Sequence, residues 1–533
     1  MQFFAGPLKE LAEYEEIQKK RTEKQGMIQI SGCVTSQKTH LMYALGDGFK
    51  RKIIAVSSEL KAKQIYEEYR FLDSDVWIYP AKDLLFYQAD LRGKFLIKQR
   101  MEVYQALLEQ EQVTVITSFD GFMDSLLPLE EMEKRVISLE AGQELDFEKL
   151  KKDMVLLGYE REEQIEGPGQ FAVRGGILDI YPLTEEVPVR IEMWGDEIDS
   201  IRTFDVESQR SIENLESIRI YPATDFPEEQ AKRVSFLDYF DKKTSMLFLD
   251  EPVRLIEKGE SVEEEFVQAQ ANRMECGYAV SDEEMKLFST KEIADKMNQY
   301  YSIGMSALEM KCKEFKTRGL YHLQAKGVNP YNNSFEMLTR DLKQLKRKGY
   351  RAILLSGSRT RAKRLAEDLR DYNLSSFYSE DVEREVNPGE IMVTYGHVTE
   401  GYEYPMIKFI VISETDIFGQ KKKKRKRKVY EGQKIQSFSE LKVGDYVVHE
   451  NHGLGIYQGI EKIEVDKVSK DYMKIAYAAG GNLYIPATQL DLIQKYASAD
   501  AKKPKLNRLG GQEWTKTKTR VRGAVKEVER DLV

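Results

Sequence analysis

The sequence predicts a multidomain α/β chain, and three observations carry that reading. Its 533 residues exceed what a single compact fold organises, at ~100–200 residues per domain. Strand-like apolar runs alternate with helical periodicity over residues 27–118, the signature of a parallel sheet with helices on both faces. Two later stretches, within 169–220 and 438–496, change to short strands cut by Gly, Pro and Asp turns.

Taken in order, MIQIS (27–31) is the first strand, followed by a glycine turn and a helix through Leu45. The alternation continues with KIIAVS (52–57), the helical SELKAKQIYEEYRFL, DVWIYP (75–80), a helix around Arg100 to Leu108, and VTVITS (113–118). Residues 1–124 are thus the first part of an α/β domain. Residues 125–224 carry a helix near Phe147 to Leu157, then FAVRGGILDIYP, VPVRIEMW and EIDSIRTFD, which read as a small inserted α+β domain. The α/β pattern resumes over 225–325 with SMLFLDEP (245–252). A further small α/β domain follows at 326–418, with YRAILLSGS, a basic helix at Arg359 to Arg370, EIMVTY and KFIVISE, and no motif that assigns it a role. A basic linker (419–437) leads to 438–497, where four or five short strands suggest a small barrel. A second linker (498–512) precedes a helical pattern over 513–533 with no stop signal.

Composition narrows the function classes. Hydrophobic residues at 41% and charged residues at 32% supply several cores and exclude bulk disorder. No apolar run approaches the ~20 residues of a membrane helix, and the amino terminus lacks a secretory pattern, so a cytoplasmic protein with no membrane partner is expected. Cys33, Cys276 and Cys312 form no CxxC pair, and His449 and His452 have no completing ligands, so no metal site is expected. Net charge is −8, yet the run from Lys421 to Lys428 supplies eight positives, leaving −16 elsewhere. Contact with DNA is therefore expected only locally and weakly through that run, which reads first as a solvated linker.

One motif bears on catalysis. Gly32-Cys33-Val34-Thr35-Ser36-Gln37-Lys38-Thr39 keeps the first Gly, the Lys and the Thr of a GxxxxGK[ST] phosphate loop, but Gln37 stands where the second Gly belongs. A Cβ there disfavours positive φ and close approach to phosphate. Asp250 and Glu251 end the apolar run MLFLDE, as on the magnesium-side strand of such a fold. The favoured reading is a degenerate nucleotide site at Gly32, Gln37, Lys38, Thr39, Asp250 and Glu251, in which Lys38 pairs with a nearby carboxylate. The alternative is an ATP-dependent helicase that uses Lys38 and Asp250.

In VPVRIEMW, strand period places Val187, Val189, Ile191 and Met193 on one face and Arg190, Glu192 and Trp194 on the other. An Arg and a Trp on a polar face are favoured interface anchors. Arg174 joins them if its strand is adjacent.

Together these features resemble the amino-terminal portion of the bacterial transcription-repair coupling factors (Mfd), over essentially the whole chain. GQFAVRGGILDIYPLTEEVPVRIEMWGDEIDSIRTFDVESQRS (169–211) is similar to the domain shared by UvrB and Mfd. VGDYVVHENHGLGIYQGI through LYIPATQLDLIQKY is similar to the RNA polymerase interaction domain of CarD-type regulators. The resemblance implies an SH3/Tudor-like barrel in that domain. It also implies a UvrA-binding patch at Arg174, Arg190 and Trp194, and strand pairing with the RNA polymerase β subunit through residues such as Ile463 or Tyr457. UvrB's DNA-clamping aromatic hairpin has no counterpart in YPAKDLLFYQADLRGKF, which has no tyrosine cluster, so direct lesion reading is not expected. The family resemblance further implies a carboxy-terminal double-stranded DNA translocase, with its ATP and magnesium, and a masking domain. Neither lies in these 533 residues, so no catalytic residues and no cofactor are expected in this chain, which would act as an adaptor without turnover.

Overall fold

The computed structural model describes residues 2–81, 94–206, 208–224, 232–275, 287–419, 433–434, 443–449, 452–465, 468–486, 493–496 and 506–508. The chain opens with β1 (Gly26–Ser31), β2 (Arg51–Val56), β3 (Val76–Tyr79) and β4 (Val113–Ser118), joined by helices Thr35–Leu45, Glu59–Leu72 and Lys94–Glu109. Every residue of β1 and β4 is buried, as expected of strands covered on both faces.

The chain then leaves this sheet to build a separate unit. It holds β5 (Ile137–Glu140), the helix Phe147–Leu156, β6 (Glu160–Arg161), β7 (Gln170–Arg174), β8 (Ile177–Tyr181), β9 (Val189–Trp194), β10 (Glu197–Phe204), β11 (Ser211–Leu215) and β12 (Ser217–Ile220). Six of these form one sheet, β11-β10-β9-β8-β7-β6, and β12 pairs with β5. Leu150 and Met154 of the helix pack on Phe171, Leu178, Ile180, Val189 and Ile191, so one face of the sheet is core. Strand alternation leaves the polar residues on the other face.

Leu126 and Val234 bridge the entry and exit of this unit. Beyond it, β13 (Ser245–Asp250), β14 (Tyr301–Met305) and β15 (Thr317–His322) return to the first sheet. Its seven strands run all parallel in the order β15-β1-β14-β13-β2-β4-β3, so the sheet is assembled from both sides of the inserted unit.

The following module is a mixed sheet of β16 (Lys326–Gly327), β17 (Arg351–Ser356), β18 (Phe377–Tyr378), β19 (Ile391–Tyr395), β20 (Tyr402–Tyr404) and β21 (Phe409–Ile412), ordered β16-β20-β21-β17-β19-β18. Helices Phe335–Arg347 and Arg359–Asp371 cover one face through Leu338, Leu342, Leu365 and Leu369. On the other face, Ile353, Leu355, Met392, Phe409 and Val411 share one core with Ile28, Ile30, Leu41 and Ile54 of the first module. The stretch whose sequence assigns no role is thus packed into the first module.

His40 sits at this junction. Its Nε2–H donates to the Phe4 carbonyl (3.0 Å), which fixes the tautomer, and its Nδ1 accepts from the Tyr404 hydroxyl (3.1 Å). Its ring stacks on Tyr402.

The last sheet contains β22 (Gln433–Lys434), β23 (Tyr446–His449), β24 (Gly453–Val465), β25 (Val468–Ala476), β26 (Asn482–Pro486) and β27 (Ile493–Lys495). It is antiparallel in the order β22-β27-β23-β24-β25-β26. Five of these strands, β23–β27, lie within 438–497, where four or five were expected, and the sixth, β22, falls in the expected linker 419–437; among the described residues no pairing closes β22 on β26 into a barrel. Of the expected linker 498–512, residues 506–508 are described and are held against this sheet: Asn507 N–H donates to Leu454 O (3.0 Å) and Ala478 N–H donates to Asn507 O (2.9 Å). The run from Lys421 to Lys428 and the helical pattern over 513–533 lie outside the described residues.

Burial pushes the His40 imidazole down from 6.5 to about 4. Between those values the unfolded chain binds a proton that the folded chain refuses, so stability present above pH 6.5 is lost progressively as pH falls toward 4. The loss reaches about 3 kcal/mol at ~1.4 kcal/mol per pH unit. Urea unfolding at stepped pH will show this decline, and it will be shallower in His40→Gln.

Candidate functional site

The first candidate is the stretch that looks like a phosphate loop. In a working loop, free backbone amides face the phosphates. Here Gly32 N–H donates to Ala307 O (3.3 Å), Cys33 N–H to Ser306 O (3.1 Å) and Val34 N–H to the Gln37 side-chain Oε1 (3.2 Å). Three successive amides are consumed by the protein itself. Gly32 is retained for packing: at φ +77° a Cβ would stand 2.2 Å from Leu323 O. The helix starts at Thr35, and Gln37, fully buried in its first turn, lies beside the Tyr404 hydroxyl.

The side chains are engaged as well. Lys38 Nζ reaches Asp250 Oδ1 at 2.7 Å and Glu251 Oε1 at 2.5 Å, across β14, which separates β1 from β13. Glu251 adopts φ +53°, uncommon without glycine, and its carboxylate also accepts from Ala307 N–H (3.0 Å). Burial alone would push the Lys38 ammonium down, but the two carboxylates outweigh it and hold it above its ordinary value. Thr39 Oγ1–H donates to Glu68 Oε2 (2.6 Å), and Ser36 Oγ–H to Glu68 Oε1 (2.7 Å). The third module closes over this point, with Thr399 N–H on Glu68 Oε1 (3.0 Å) and Glu400 N–H on Ser36 Oγ (3.1 Å). A magnesium nucleotide needs the amides, the ammonium and the hydroxyl together, and these residues do not fit one.

The second candidate is the polar face of the inserted sheet. Arg174 does not lie on the strand next to β9; β8 stands between. The two arginines meet all the same, because Asp179 of β8, in register with Arg190, accepts from both. Arg190 binds it through Nε (2.7 Å) and Nη2 (2.9 Å), and Arg174 through Nη2 (2.7 Å). Arg190 Nη2 also donates to Gln209 Oε1 (2.8 Å), and its guanidinium lies 4.4 Å over the Phe204 ring. The Arg190 side chain is 12% exposed, because Asp179 and Phe204 give it a polar and an aromatic partner to lie against. Trp194, at the β9–β10 turn, is 82% exposed. Asp179 and Gln209 were missed in the sequence. The signal for Asp179 was a carboxylate between apolar residues in ILDIY, whereas Gln209 and Glu68 carry no local signal.

The third candidate is the last sheet. Tyr457 faces inward, opposite Ile475, and is 5% exposed, so the expectation that it offers a polymerase contact is corrected. A register shift between Tyr457 and Gly459 changes the alternation on which that expectation rested. Burial pushes its hydroxyl up to about 12. Ile463 pairs with Lys470 in the β24–β25 ladder, and its side chain lies outside the described part of the structure. His449 is buried, its ring 4.8 Å from that of His452, and no group of three or more His, Cys, Asp or Glu placed to hold a metal occurs among the described residues. None of the described helices is long and apolar enough to cross a membrane.

Lys38→Met removes the cation from buried Asp250 and part-buried Glu251 and is expected to cost about 3 kcal/mol in chemical unfolding. Adding Asp250→Asn and Glu251→Gln should recover part of it. A fluorescent ATP analogue with magnesium is expected to give no saturable signal with the unmodified chain.

Comparison with known proteins places these sites in context. The UvrB interaction domain family matches residues 137–226, and the CarD-like/TRCF RID domain family matches residues 441–497. The transcription-repair-coupling factor of Bacillus subtilis (strain 168) is 29% identical over 568 aligned residues, covering 95% of this chain and 48% of that protein. The factors of Staphylococcus epidermidis RP62A and Staphylococcus aureus MRSA252 are 28% and 27% identical, covering 86% and 87% of this chain and 44% of each relative. The chain therefore spans about half the length of the curated relatives it matches. With two family domains in this order and alignment along nearly all of its residues, the chain is similar to the amino-terminal portion of the transcription-repair-coupling factors.

Proposed function

We infer that this chain is an adaptor in transcription-coupled nucleotide-excision repair, docking RNA polymerase through the last sheet and UvrA through the polar face of the inserted sheet. The observation that carries the reading is the state of the phosphate loop, three of whose amides, with the lysine and the hydroxyl, are bound by the protein itself. A chain that does no nucleotide work in its first module acts by holding partners. The two matched domains name the classes of partner, and the exposed Trp194 beside a rigid Asp179–arginine cluster supplies the kind of anchor that such docking uses.

The UvrB-like helicase alternative would have to break the Lys38 and Thr39 bonds before a nucleotide entered. Within the adaptor reading, Arg174 and Arg190 set the shape of the patch and Trp194 supplies its contact area. The polymerase side is assigned to β24, with Ile463 as the apolar contact and strand pairing to the β subunit as the mode.

A bridging assay tests both ends. Immobilised UvrA is expected to retain RNA polymerase only when the chain is added. Trp194→Ala should weaken UvrA capture at least ~30-fold, the scale of an interface hot spot, with the melting temperature unchanged. Arg190→Ala should lower both, since it strips a partner from buried Asp179. Ile463→Arg should keep UvrA and lose polymerase. Capture of both partners by the Trp194→Ala, Ile463→Arg double variant would move the docking surfaces elsewhere.

A further inference from the structure

The edge of the first sheet has the features of a peptide-docking site. β15 is the terminal strand of that sheet and pairs with β1 alone among the described residues. Leu323 N–H donates to Ser31 O, which fixes the phase of the ladder: the N–H and C=O groups of Gly319 and Tyr321 turn toward β1. Those of Leu320 and His322 turn outward. An outward row of alternating donors and acceptors is a template for one more strand, and folded proteins usually blunt it.

Among the described residues no further strand pairs with this edge. Leu320 is 55% exposed, and Met310 is also exposed. Met310 O accepts from Gln29 Nε2 (2.7 Å), and Gln29 is in register with Leu320, so these groups line one side of the edge together. Between them lies a shallow cavity of about 100 Å³, lined by Gln29, Ser31, Glu309, Leu320, Tyr321 and His322. The surroundings are basic in a chain that is acidic as a whole. Over residues 307–320, Lys311, Lys313, Lys316 and Arg318 stand against Glu309 and Glu314. Arg318 is occupied with the carbonyls of Lys20, Arg21 and Gly26, while the three lysines are exposed.

We propose that β15 accepts an extended, acidic segment of a partner protein as an eighth strand. The segment's backbone pairs with Leu320 and His322, an apolar side chain enters the cavity beside Leu320 and Met310, and its carboxylates meet Lys311, Lys313 and Lys316. A nucleic-acid strand fits less well, because it would leave the outward carbonyls unpaired and the apolar side chains uncovered. The site is separate from the inserted sheet and from the last sheet, so it does not depend on the UvrA or polymerase reading.

The probe is a capped six-residue peptide of alternating Asp and Val, added to the whole chain and followed by amide hydrogen exchange. Slowed exchange confined to the Leu320 and His322 amides, with saturable binding, is the expected result. Leu320→Pro removes an outward N–H without touching the ladder to β1 and should weaken binding about tenfold, whereas Leu320→Thr keeps the N–H and should retain most of it. Three results would overturn the proposal: no protection at millimolar peptide, equal protection by a single-stranded oligonucleotide, or protection that appears with rising protein concentration alone and marks a second copy as the occupant.

Discussion

Carboxylates engage the lysine and hydroxyls that a phosphate loop would offer to a nucleotide. Asp250 and Glu251 take the Lys38 ammonium, and Glu68 takes the hydroxyls of Ser36 and Thr39. A buried ammonium or carboxylate is tolerated only with a partner, so each group commits the others. Lys38 cannot turn toward an incoming anion without abandoning two acidic residues. Thr39 cannot bind a metal without leaving Glu68 short of a donor. The same lock fixes the neighbouring backbone, since Glu251 also holds Ala307, whose carbonyl accepts from Gly32.

That lock explains how the third module is attached. Glu68 has acceptor capacity beyond its two hydroxyl donors, and Thr399 N–H fills it. The module's apolar face completes the core that Ile28, Ile30 and Ile54 begin, and His40 links it to the amino-terminal helix through Phe4 and Tyr404. The first and third modules thus share polar groups as well as apolar surface. The inserted unit is joined more lightly, by the Leu126–Val234 bridge and by Glu109, which accepts from Arg219 (3.0 Å) and Tyr221 (2.7 Å).

What could be read from the sequence follows the range of the interactions involved. The parallel strands of the first sheet were legible because buried strands are continuous apolar runs, and the face of β9 was legible because side-chain period is two. Gln37 was legible because a phosphate loop is a local motif. Partners drawn from distant segments were not. Glu68 lies 29 residues beyond Thr39 on another helix, and Asp179 reaches Arg190 only through strand pairing. A period of two puts Tyr457 and Ile463 on one face, and the irregularity between Tyr457 and Gly459, which nothing in GIYQGI announces, breaks that alternation. The absence of a role for residues 326–418 has a similar cause: their contribution is a surface complementary to another module, and complementarity leaves no motif.

The inserted sheet divides its labour between rigid and available groups. Asp179 draws two guanidiniums into a fixed cluster, with Gln209 and the Phe204 ring holding Arg190 in one orientation. Arginines held in this way lose little freedom when a partner arrives, which lowers the entropic cost of docking. They still carry one more positive charge than Asp179 neutralises, so the patch keeps a net attraction for an acidic partner surface. Trp194 lies outside the cluster with most of its ring in water, so its burial is gained only on binding. In the docking reading proposed above, charge sets the orientation and the indole supplies the area. A patch built this way can be strongly selective while adding little to the stability of the fold that carries it.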